Sequence, residues 1–314
     1  MTNTKPKIAI SIGDLNGIGI EIALKCHEKI SKICKPIYCI NDTMLKKATK
    51  ELKTSIPESF ELFETKGDFD IKAGTVTKKA GKYSYDSFMD AINLANKNKV
   101  DAICTLPINK ESWNKADIKY KGHTEVLRDY FGKNAIMMLG CKKMFVGLFT
   151  EHIPLKKVAK KIDEKELITF LIDFYKNVKN DNIAVLGLNP HASDNGVLGD
   201  EEVEIFKAIK KANKILEKNI FKGPLVPDTA FSPLSRKNYT YFVAMYHDQG
   251  LAPLKALYFE ESINVSLNLP IIRTSVDHGT AFNIAYKNGK INTKSYVNAI
   301  KEAIVLIQNK KWEA

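Results

Sequence analysis

A short apolar run that stops at polar groups is the feature that most constrains the fold of this chain. The run Tyr241–Ala244 predicts a buried strand, and Tyr246, His247, Asp248 and Gln249 follow it almost directly. In α/β proteins, ligands bind beyond the carboxyl ends of the strands. Each of these polar groups would cost about 1–3 kcal/mol if it were buried without a partner. Chemistry therefore explains the cluster better than packing does, although a satisfied turn after a strand is the simpler alternative.

Apolar runs of strand length alternate with amphipathic helical segments along the chain, which predicts an α/β fold with mixed, mostly parallel sheets. A Gly-Cys-Lys-Lys turn between two of the apolar runs predicts a hairpin, and the segment 54–84 has no regular pattern. The predicted strands are 7–12, 36–41, 102–106, 135–139, 144–149, 183–188 and 241–244. The predicted helices include 20–33, 42–52, 85–99, 126–131 and two that begin near 163 and 200.

Length suits one large or two medium α/β domains, and we expect two that flank a cleft. We expect the first to be discontinuous, with residues 1–120 and 270–314, and the second to hold residues 121–269. No run of about 18 apolar residues exists, so we expect no membrane span. The N-terminus lacks the pattern of a secretion signal, and five cysteines without a CxxC pair favour a reduced compartment, so we expect a cytoplasmic protein.

The net charge of +12 raises nucleic acid as a partner. The lysines, however, are scattered in pairs among acidic residues in helix-like segments, and there is no arginine-rich stripe with interleaved aromatic residues. This pattern is typical of solvated helix faces. We therefore expect no nucleic-acid partner.

Three histidines each follow a predicted strand: His152, His191 and His247. Their spacings of 39 and 56 residues match no local metal-ligand motif. Strand ends on one edge of a sheet nevertheless converge in space, and three imidazoles with one open position suit a catalytic divalent ion. Histidines satisfied within loops are the alternative reading.

Two glycine-bearing turns are less specific. The turn 13–19 matches neither the dinucleotide fingerprint nor the P-loop, and it indicates only a close backbone approach above the first strand. In the turn Gly122-His123-Thr124-Glu125, the histidine and threonine could bind an anion or cap the helix that follows. From the residues alone, capping is the favoured reading.

Taken together, eight blocks along nearly the whole chain resemble the 4-hydroxythreonine-4-phosphate dehydrogenase family of pyridoxal phosphate biosynthesis. No single block would identify the family, but the occurrence of all eight in this order does. The blocks are 13–19, 107–110, 122–125, 152–155, 187–192, 227–229, 245–250 and 269–281.

The resemblance implies an NAD-dependent oxidoreductase, with NADP as the alternative cofactor, related in fold to the isocitrate and isopropylmalate dehydrogenases. It implies a homodimer whose metal site is completed across the interface, with one zinc, magnesium or cobalt ion per site held by His152, His191 and His247. The implied substrate contacts are His123, Thr124, Lys255, Asn264 and Arg273. The implied cofactor-side loop includes Asp277, His278, Gly279, Thr280 and Asn283.

The implied reaction oxidises 4-phosphooxy-L-threonine at C3 and then decarboxylates it to 3-amino-2-oxopropyl phosphate. The hydroxyl proton needs an acceptor, and Asp248 and Asp228 are the candidates because both lie beside proposed site residues. A sister enzyme acting on threonate or erythronate phosphate remains an alternative, and a metal-dependent hydrolase is a weaker one. The chain departs from the family pattern at Leu15, Asn16, Glu151, Asn268 and Tyr286, the last two standing where the family has glycine.

Overall fold

The computed structural model describes residues 4–287 and 289–311. The chain divides into two compact units. The first holds the described residues up to Lys133, Ile263–Val265 and those from Leu269 onward. The second holds Asn134–Ser262 and Ser266–Asn268.

Strands and helices alternate in both units. The strands are β1 (Lys7–Ser11), β2 (Lys35–Cys39), β3 (Glu61–Phe63), β4 (Ala102–Thr105), β5 (Ile136–Cys141), β6 (Met144–Leu148), β7 (Ile183–Leu186), β8 (Phe221–Leu225), β9 (Tyr241–Ala244), β10 (Ile263–Leu267) and β11 (Arg273–Val276). The helices are α1 (Gly19–Ile30), α2 (Asp42–Leu52), α3 (Lys78–Asn96), α4 (Lys110–Lys115), α5 (His123–Phe131), α6 (Glu164–Val178), α7 (Glu201–Ile215), α8 (Pro233–Asn238), α9 (His247–Tyr258) and α10 (Lys294–Lys311).

The first unit is built on parallel strands in the order β3-β2-β1-β4-β11. Its central strands are buried along nearly their whole length, as continuous apolar runs such as Ile8–Ile10 require when helices cover both faces of a parallel sheet. Phe88 of α3 and Trp113 of α4 are fully buried in its core. The predicted α/β class is confirmed.

The second unit orders its strands β5-β6-β9-β7-β8. β5 and β6 form an antiparallel hairpin, which confirms the prediction from the Gly-Cys-Lys-Lys turn. β6 pairs with β9, β9 with β7, and β7 with β8, all in parallel. β9 therefore lies directly between β6 and β7, and the carboxyl ends of all three point the same way.

The segment 54–84 is more regular than predicted. β3 lies within it, and α3 begins at Lys78 instead of residue 85 because the Thr77 hydroxyl accepts a hydrogen bond from the Ala80 N–H at 3.3 Å. The first turns of α3 carry Gly81, which hides the helical pattern in the sequence. A Cβ at Gly81 would lie 2.0 Å from the Ser112 carbonyl oxygen, so only glycine allows α4 to pack this closely.

No helix within the described ranges is long and apolar enough to cross a bilayer.

Glu302 of α10 supplies a test of this packing, because the residue is only 9% exposed and burial raises the pKa of its carboxyl to about 7. A pKa raised by folding stabilises the protein at low pH, and that stabilisation is lost as the pH rises from about 4.5 through 7. We predict that Glu302→Gln stabilises the protein at pH 8 by about 2–3 kcal/mol and changes little at pH 5. Urea unfolding at the two pH values measures the effect. Exposed Glu28→Gln is the control, and an equal effect of both substitutions would contradict the assignment.

Candidate active site

Three neighbouring strand ends in the second unit carry the three candidate histidines. His152 follows β6, His247 follows β9 and His191 follows β7, and these strands are adjacent and parallel. Neighbouring strands lie about 4.7–4.9 Å apart, so the outer two strand ends are separated by only about 10 Å. The predicted convergence at one sheet edge is confirmed at the level of the backbone.

Side-chain hydrogen bonds join the three histidine-bearing segments. The Thr150 hydroxyl donates to the Met245 carbonyl at 2.7 Å, which ties the segment of His152 to that of His247. Gln249 accepts from the Met245 N–H at 2.7 Å and donates to the Gly187 carbonyl at 2.7 Å. Met245 is therefore bound to both neighbouring strand ends, and their relative position is fixed.

Two of the imidazoles lie side by side. The ring centroids of His152 and His247 are 5.4 Å apart. Nδ1 of His247 lies 2.8 Å from Oδ1 of Asp248, and because a carboxylate accepts, the proton sits on Nδ1 and Nε2 keeps its lone pair. This pair suits a divalent cation in donor type and in orientation. Within the described ranges, however, no group of three or more His, Cys, Asp or Glu side chains is placed to hold a metal ion, so His191 does not complete the pair there.

The loop that carries His191 has an unusual backbone. Residues 191–195 all have positive φ, between 45° and 70°, and none is glycine. A left-handed conformation costs roughly 1–2 kcal/mol for each such residue, so the loop needs compensating contacts. Such strain concentrates at functional sites.

Glu202 supplies much of that compensation. Its Oε1 accepts from the Leu188 and Asn189 N–H groups, each at 2.7 Å, and its Oε2 accepts from the Asn189 side chain at 2.9 Å. Burial disfavours ionisation of Glu202, but these hydrogen bonds outweigh it and hold its pKa below the usual range. Glu202 therefore anchors the start of the left-handed loop as a carboxylate.

The two aspartates named as proton acceptors differ in setting. Asp248 is bound to the imidazole of His247, and its side chain is 84% exposed. Asp228 lies in the exposed turn after β8, where the Ala230 N–H and the Thr229 N–H both bond back to Val226. A carboxylate that orients an imidazole acts through it, so the two aspartates are not equivalent.

In the first unit, Arg273 and His123 form a buried basic pair. Arg273 is 2% exposed, its Nη2 donates to the Thr105 hydroxyl at 2.7 Å, and burial lowers its pKa to about 10, so it remains charged. Burial, and then the charge of Arg273, lower the pKa of His123 well below its usual value. His123 is therefore neutral, and it packs edge-on against Phe88 and Trp113 at centroid distances of 4.5 and 5.6 Å.

The helix that His123 begins is not capped by the side chains expected to cap it. α5 begins at His123 instead of residue 126, with Gly122 as its N-cap and no side-chain cap bond. Glu125 instead accepts from the Lys121 N–H at 2.7 Å. The capping reading of His123 and Thr124 is therefore wrong.

Nε2 of His123 is buried and finds no hydrogen-bond partner within the described ranges. A buried orphan of this kind beside an arginine suits an anionic ligand.

The other proposed substrate residues are divided between the units. Asn264 belongs to the first, and its Oδ1 is a second buried atom without a hydrogen-bond partner among the residues described. Lys255 lies in the last turn of α9 in the second, where its Nζ is 5.4 Å from the centre of the Phe259 ring. Thr124 is the second residue of α5.

The residues of the proposed cofactor-side loop lie together in the first unit, at the end of β11. The Asp277 N–H donates to the Ser295 hydroxyl at 3.1 Å, and the Thr280 carbonyl accepts from the Ile18 N–H at 3.0 Å. Nδ1 of His278 lies 3.1 Å from the Gly279 carbonyl. A Cβ at Gly279 would meet no described atom within 4 Å, so the loop has open space above it. Asn283 is exposed, and its carbonyl accepts from Lys287.

Sequence reasoning places Gln249 in the polar cluster after Tyr241–Ala244 but predicts no role for it, nor for Thr150 and Glu202, although all three position the histidine-bearing segments. For Gln249 a signal existed, since it is the third residue of α9, the position from which Glu or Gln reaches back to the chain before a helix. The positions of Thr150 and Glu202 carry no such signal.

Comparison with known proteins places these features in a family. The family model of the pyridoxal phosphate biosynthetic protein PdxA matches residues 32–303. A 4-hydroxythreonine-4-phosphate dehydrogenase of Sulfurimonas denitrificans is 62% identical over 303 residues, covering 96% of this chain and 98% of that protein. One from Campylobacter fetus is 60% identical over 302 residues, with the same coverage. The crystal structure of the enzyme from Klebsiella pneumoniae has a TM-score of 0.81 at 31% identity and covers 97% of this chain and 100% of that one.

The fold and the similarities define an α/β oxidoreductase, and membership of a dehydrogenase family implies a nicotinamide cofactor. The chain belongs to the PdxA family of pyridoxal phosphate biosynthetic proteins, as the sequence resemblance predicted.

The unpartnered His123 nitrogen yields a prediction. His123→Phe fills the same aromatic surroundings and removes a buried polar orphan, so we expect the melting temperature to be unchanged or higher. Binding of inorganic phosphate, measured by calorimetry, should weaken about tenfold, the size of one hydrogen bond to a charged group. The matched control is His27→Phe, because His27 is a buried histidine of the same unit that uses both ring nitrogens, towards the Tyr38 hydroxyl at 3.0 Å and the Glu58 carbonyl at 2.9 Å. It should lower the melting temperature. The opposite order of stabilities would contradict the assignment.

Proposed function

We propose that the protein oxidises 4-phosphooxy-L-threonine at C3 with NAD and decarboxylates the product to 3-amino-2-oxopropyl phosphate, in pyridoxal 5'-phosphate biosynthesis. The observation that carries the proposal is the adjacency of three histidine-bearing strand ends, cross-linked through Met245. The substrate is the one in the names of relatives that are 62% and 60% identical to this chain. We further propose a cytoplasmic homodimer.

The phosphate would be bound by Arg273 and His123. Arg273 carries a charge that burial does not remove, and its planar guanidinium can pair two nitrogens with two phosphate oxygens. His123 is neutral and can donate from Nε2, which is otherwise buried and unused. Thr124 and the N–H groups at the start of α5 would add donors, because the first amides of a helix face an anion favourably. Lys255 and Asn264 remain proposed contacts to the rest of the substrate.

His152 and His247 would hold the divalent cation, with His191 as the third ligand, and completion of this site at a dimer interface, which the family resemblance implies, is part of the proposal. When bound, a zinc, magnesium or cobalt ion would lower the pKa of a substrate hydroxyl and favour negative charge on that oxygen. Asp248 orients His247 so that its Nε2 lone pair is available. Thr150 holds the segment of His152 to Met245, and Gln249 and Glu202 hold the segment of His191.

Asp228 would accept the hydroxyl proton. Asp248 is already engaged with an imidazole, and a carboxylate in that role stays ionised and stabilises its partner. The residues 277–280 and Asn283 would bind the dinucleotide, with NADP as the alternative to NAD.

The decisive assay incubates the protein with NAD, a divalent metal and 4-phosphooxy-L-threonine and records NADH absorbance and carbon dioxide release. NADH only with threonate or erythronate phosphate would favour a sister dehydrogenase. Phosphate release without NADH would favour a hydrolase.

The metal assignment gives a prediction that does not depend on turnover. After dialysis against zinc, His152→Ala and His247→Ala should each retain less than a tenth of the parent's zinc, measured by atomic absorption, because each removes a proposed ligand. Asp248→Asn should weaken zinc binding about 10–100-fold, since it removes only the group that orients His247.

Asp181→Asn is the matched control for the aspartate, because Asp181 is also exposed in the second unit and contacts Tyr175 and Lys218 instead of a histidine. Its zinc content should equal that of the parent. Parental zinc content in both alanine variants would remove the metal site from the proposal.

A further inference from the structure

Tyr286 joins the cofactor-side loop to the turn after β1. Its hydroxyl donates to the Leu15 carbonyl at 2.7 Å across 271 residues of sequence. Burial, and then the charges of Asp14 and Glu21, raise the pKa of Tyr286, so the phenol keeps the proton that it donates. Leu15 itself is fully buried. The hydrogen bond therefore ends on a fixed part of the first unit.

The backbone at Tyr286 indicates that this contact is not incidental. Its φ is +59°, a left-handed conformation that suits glycine and is uncommon for a large aromatic residue. A tyrosine at this φ strains the backbone, and the hydrogen bond from its hydroxyl to the Leu15 carbonyl offsets that strain.

The turn at the other end of this contact is held in place through Asn16. The Asn16 side chain donates to the Thr75 carbonyl at 2.7 Å and accepts from the Lys72 N–H at 2.9 Å. The Asn16 carbonyl accepts from the Gly74 N–H at 2.8 Å. The turn that receives the Tyr286 hydroxyl is thus itself held to the segment 72–77.

The cofactor-side loop touches the same turn at a second point. The Ile18 N–H donates to the Thr280 carbonyl at 3.0 Å, and a Cβ at Gly17 would lie 2.8 Å from that oxygen. The loop is therefore attached near its start, at Thr280, and near its end, at Tyr286. Between these points lies Asn283, one of the residues proposed to contact the dinucleotide.

We propose that Tyr286 is a positioning residue for the nicotinamide cofactor, which fixes the loop 277–286 against the turn 13–18 and so presents Thr280 and Asn283 for binding. The inference rests on the proposed use of this loop for NAD. Tyr286 need not touch the cofactor. Its effect is to remove conformations of the loop that the cofactor would otherwise have to exclude on binding, and pre-organisation of this kind improves affinity.

The test compares Tyr286→Phe with Tyr83→Phe. The first keeps the ring and removes only the hydroxyl. Tyr83 is the matched control because it is a buried tyrosine of the same unit whose hydroxyl accepts from the Asn41 N–H at 3.0 Å, away from the loop. The readouts are the Kd for NADH from fluorescence titration, the KM for NAD, and kcat and the KM for 4-phosphooxy-L-threonine.

Tyr286→Phe should raise the Kd for NADH and the KM for NAD about three- to tenfold, the size expected for one lost hydrogen bond. The values of kcat and of the KM for the phosphorylated substrate should stay within about twofold of the parent, and Tyr83→Phe should leave the Kd for NADH unchanged. A purely structural role would lower the melting temperature of both variants without separating the two KM values. An unchanged Kd for NADH in Tyr286→Phe, or an equal rise in the control, would overturn the proposal.

Tyr286→Gly is the second variant, because glycine adopts the local backbone without strain and the chain should fold. It should weaken NADH binding at least as much as Tyr286→Phe does, and parental affinity would count against the inference. Failure of the proposed function has a different signature: the parent itself would neither bind NADH nor reduce NAD with the phosphorylated substrate. Parental turnover together with unchanged affinity in both Tyr286 variants would overturn this inference alone.

Discussion

The parallel pairing of β6, β9 and β7 is the constraint on which the candidate chemistry depends. Parallel strands bring their carboxyl ends to one edge, so segments whose histidines are 39 and 56 residues apart in the chain leave the sheet within about 10 Å of one another. The hydrogen bonds of Thr150 and Gln249 to Met245 then fix the segments beyond the strands, where the pairing itself no longer holds them. The strand order brings the three histidine-bearing segments close together, and the side chains of Thr150 and Gln249 hold them in place.

Both units contain buried polar atoms or backbone conformations that destabilise a folded protein. In the first, His123 and Asn264 each bury an atom without a partner among the residues described, and His123 lies near Arg273, which stays charged although it is buried. In the second, five successive residues hold positive φ around His191, and a buried carboxylate, Glu202, anchors the start of that loop. Unsatisfied atoms and strained backbone reduce stability, so their presence at His123, Asn264 and the His191 loop is consistent with a functional origin.

The sequence predicted much of this framework, and the failures have physical causes. The run Tyr241–Ala244 was identified as a strand because four apolar residues end sharply in polar ones, and the structure places β9 there. The beginning of α3 was missed because Gly81, needed for close contact with Ser112, interrupts the helical pattern. The left-handed loop at His191 could not be predicted, since its residues have no common preference for that conformation. Glu202 could not be distinguished from other helical glutamates, because its role depends on a loop that lies before it in the chain.

The most direct test of the central claim is an anomalous difference map from a crystal of the protein soaked in zinc and recorded at the zinc absorption edge. A single strong peak within about 2.0–2.1 Å of one imidazole nitrogen each from His152, His191 and His247, with the symmetry-related subunit included, is the predicted result. Zinc bound elsewhere, or a peak beside His152 and His247 that excludes His191 in every subunit, would contradict the claim that the three strand ends form one metal centre.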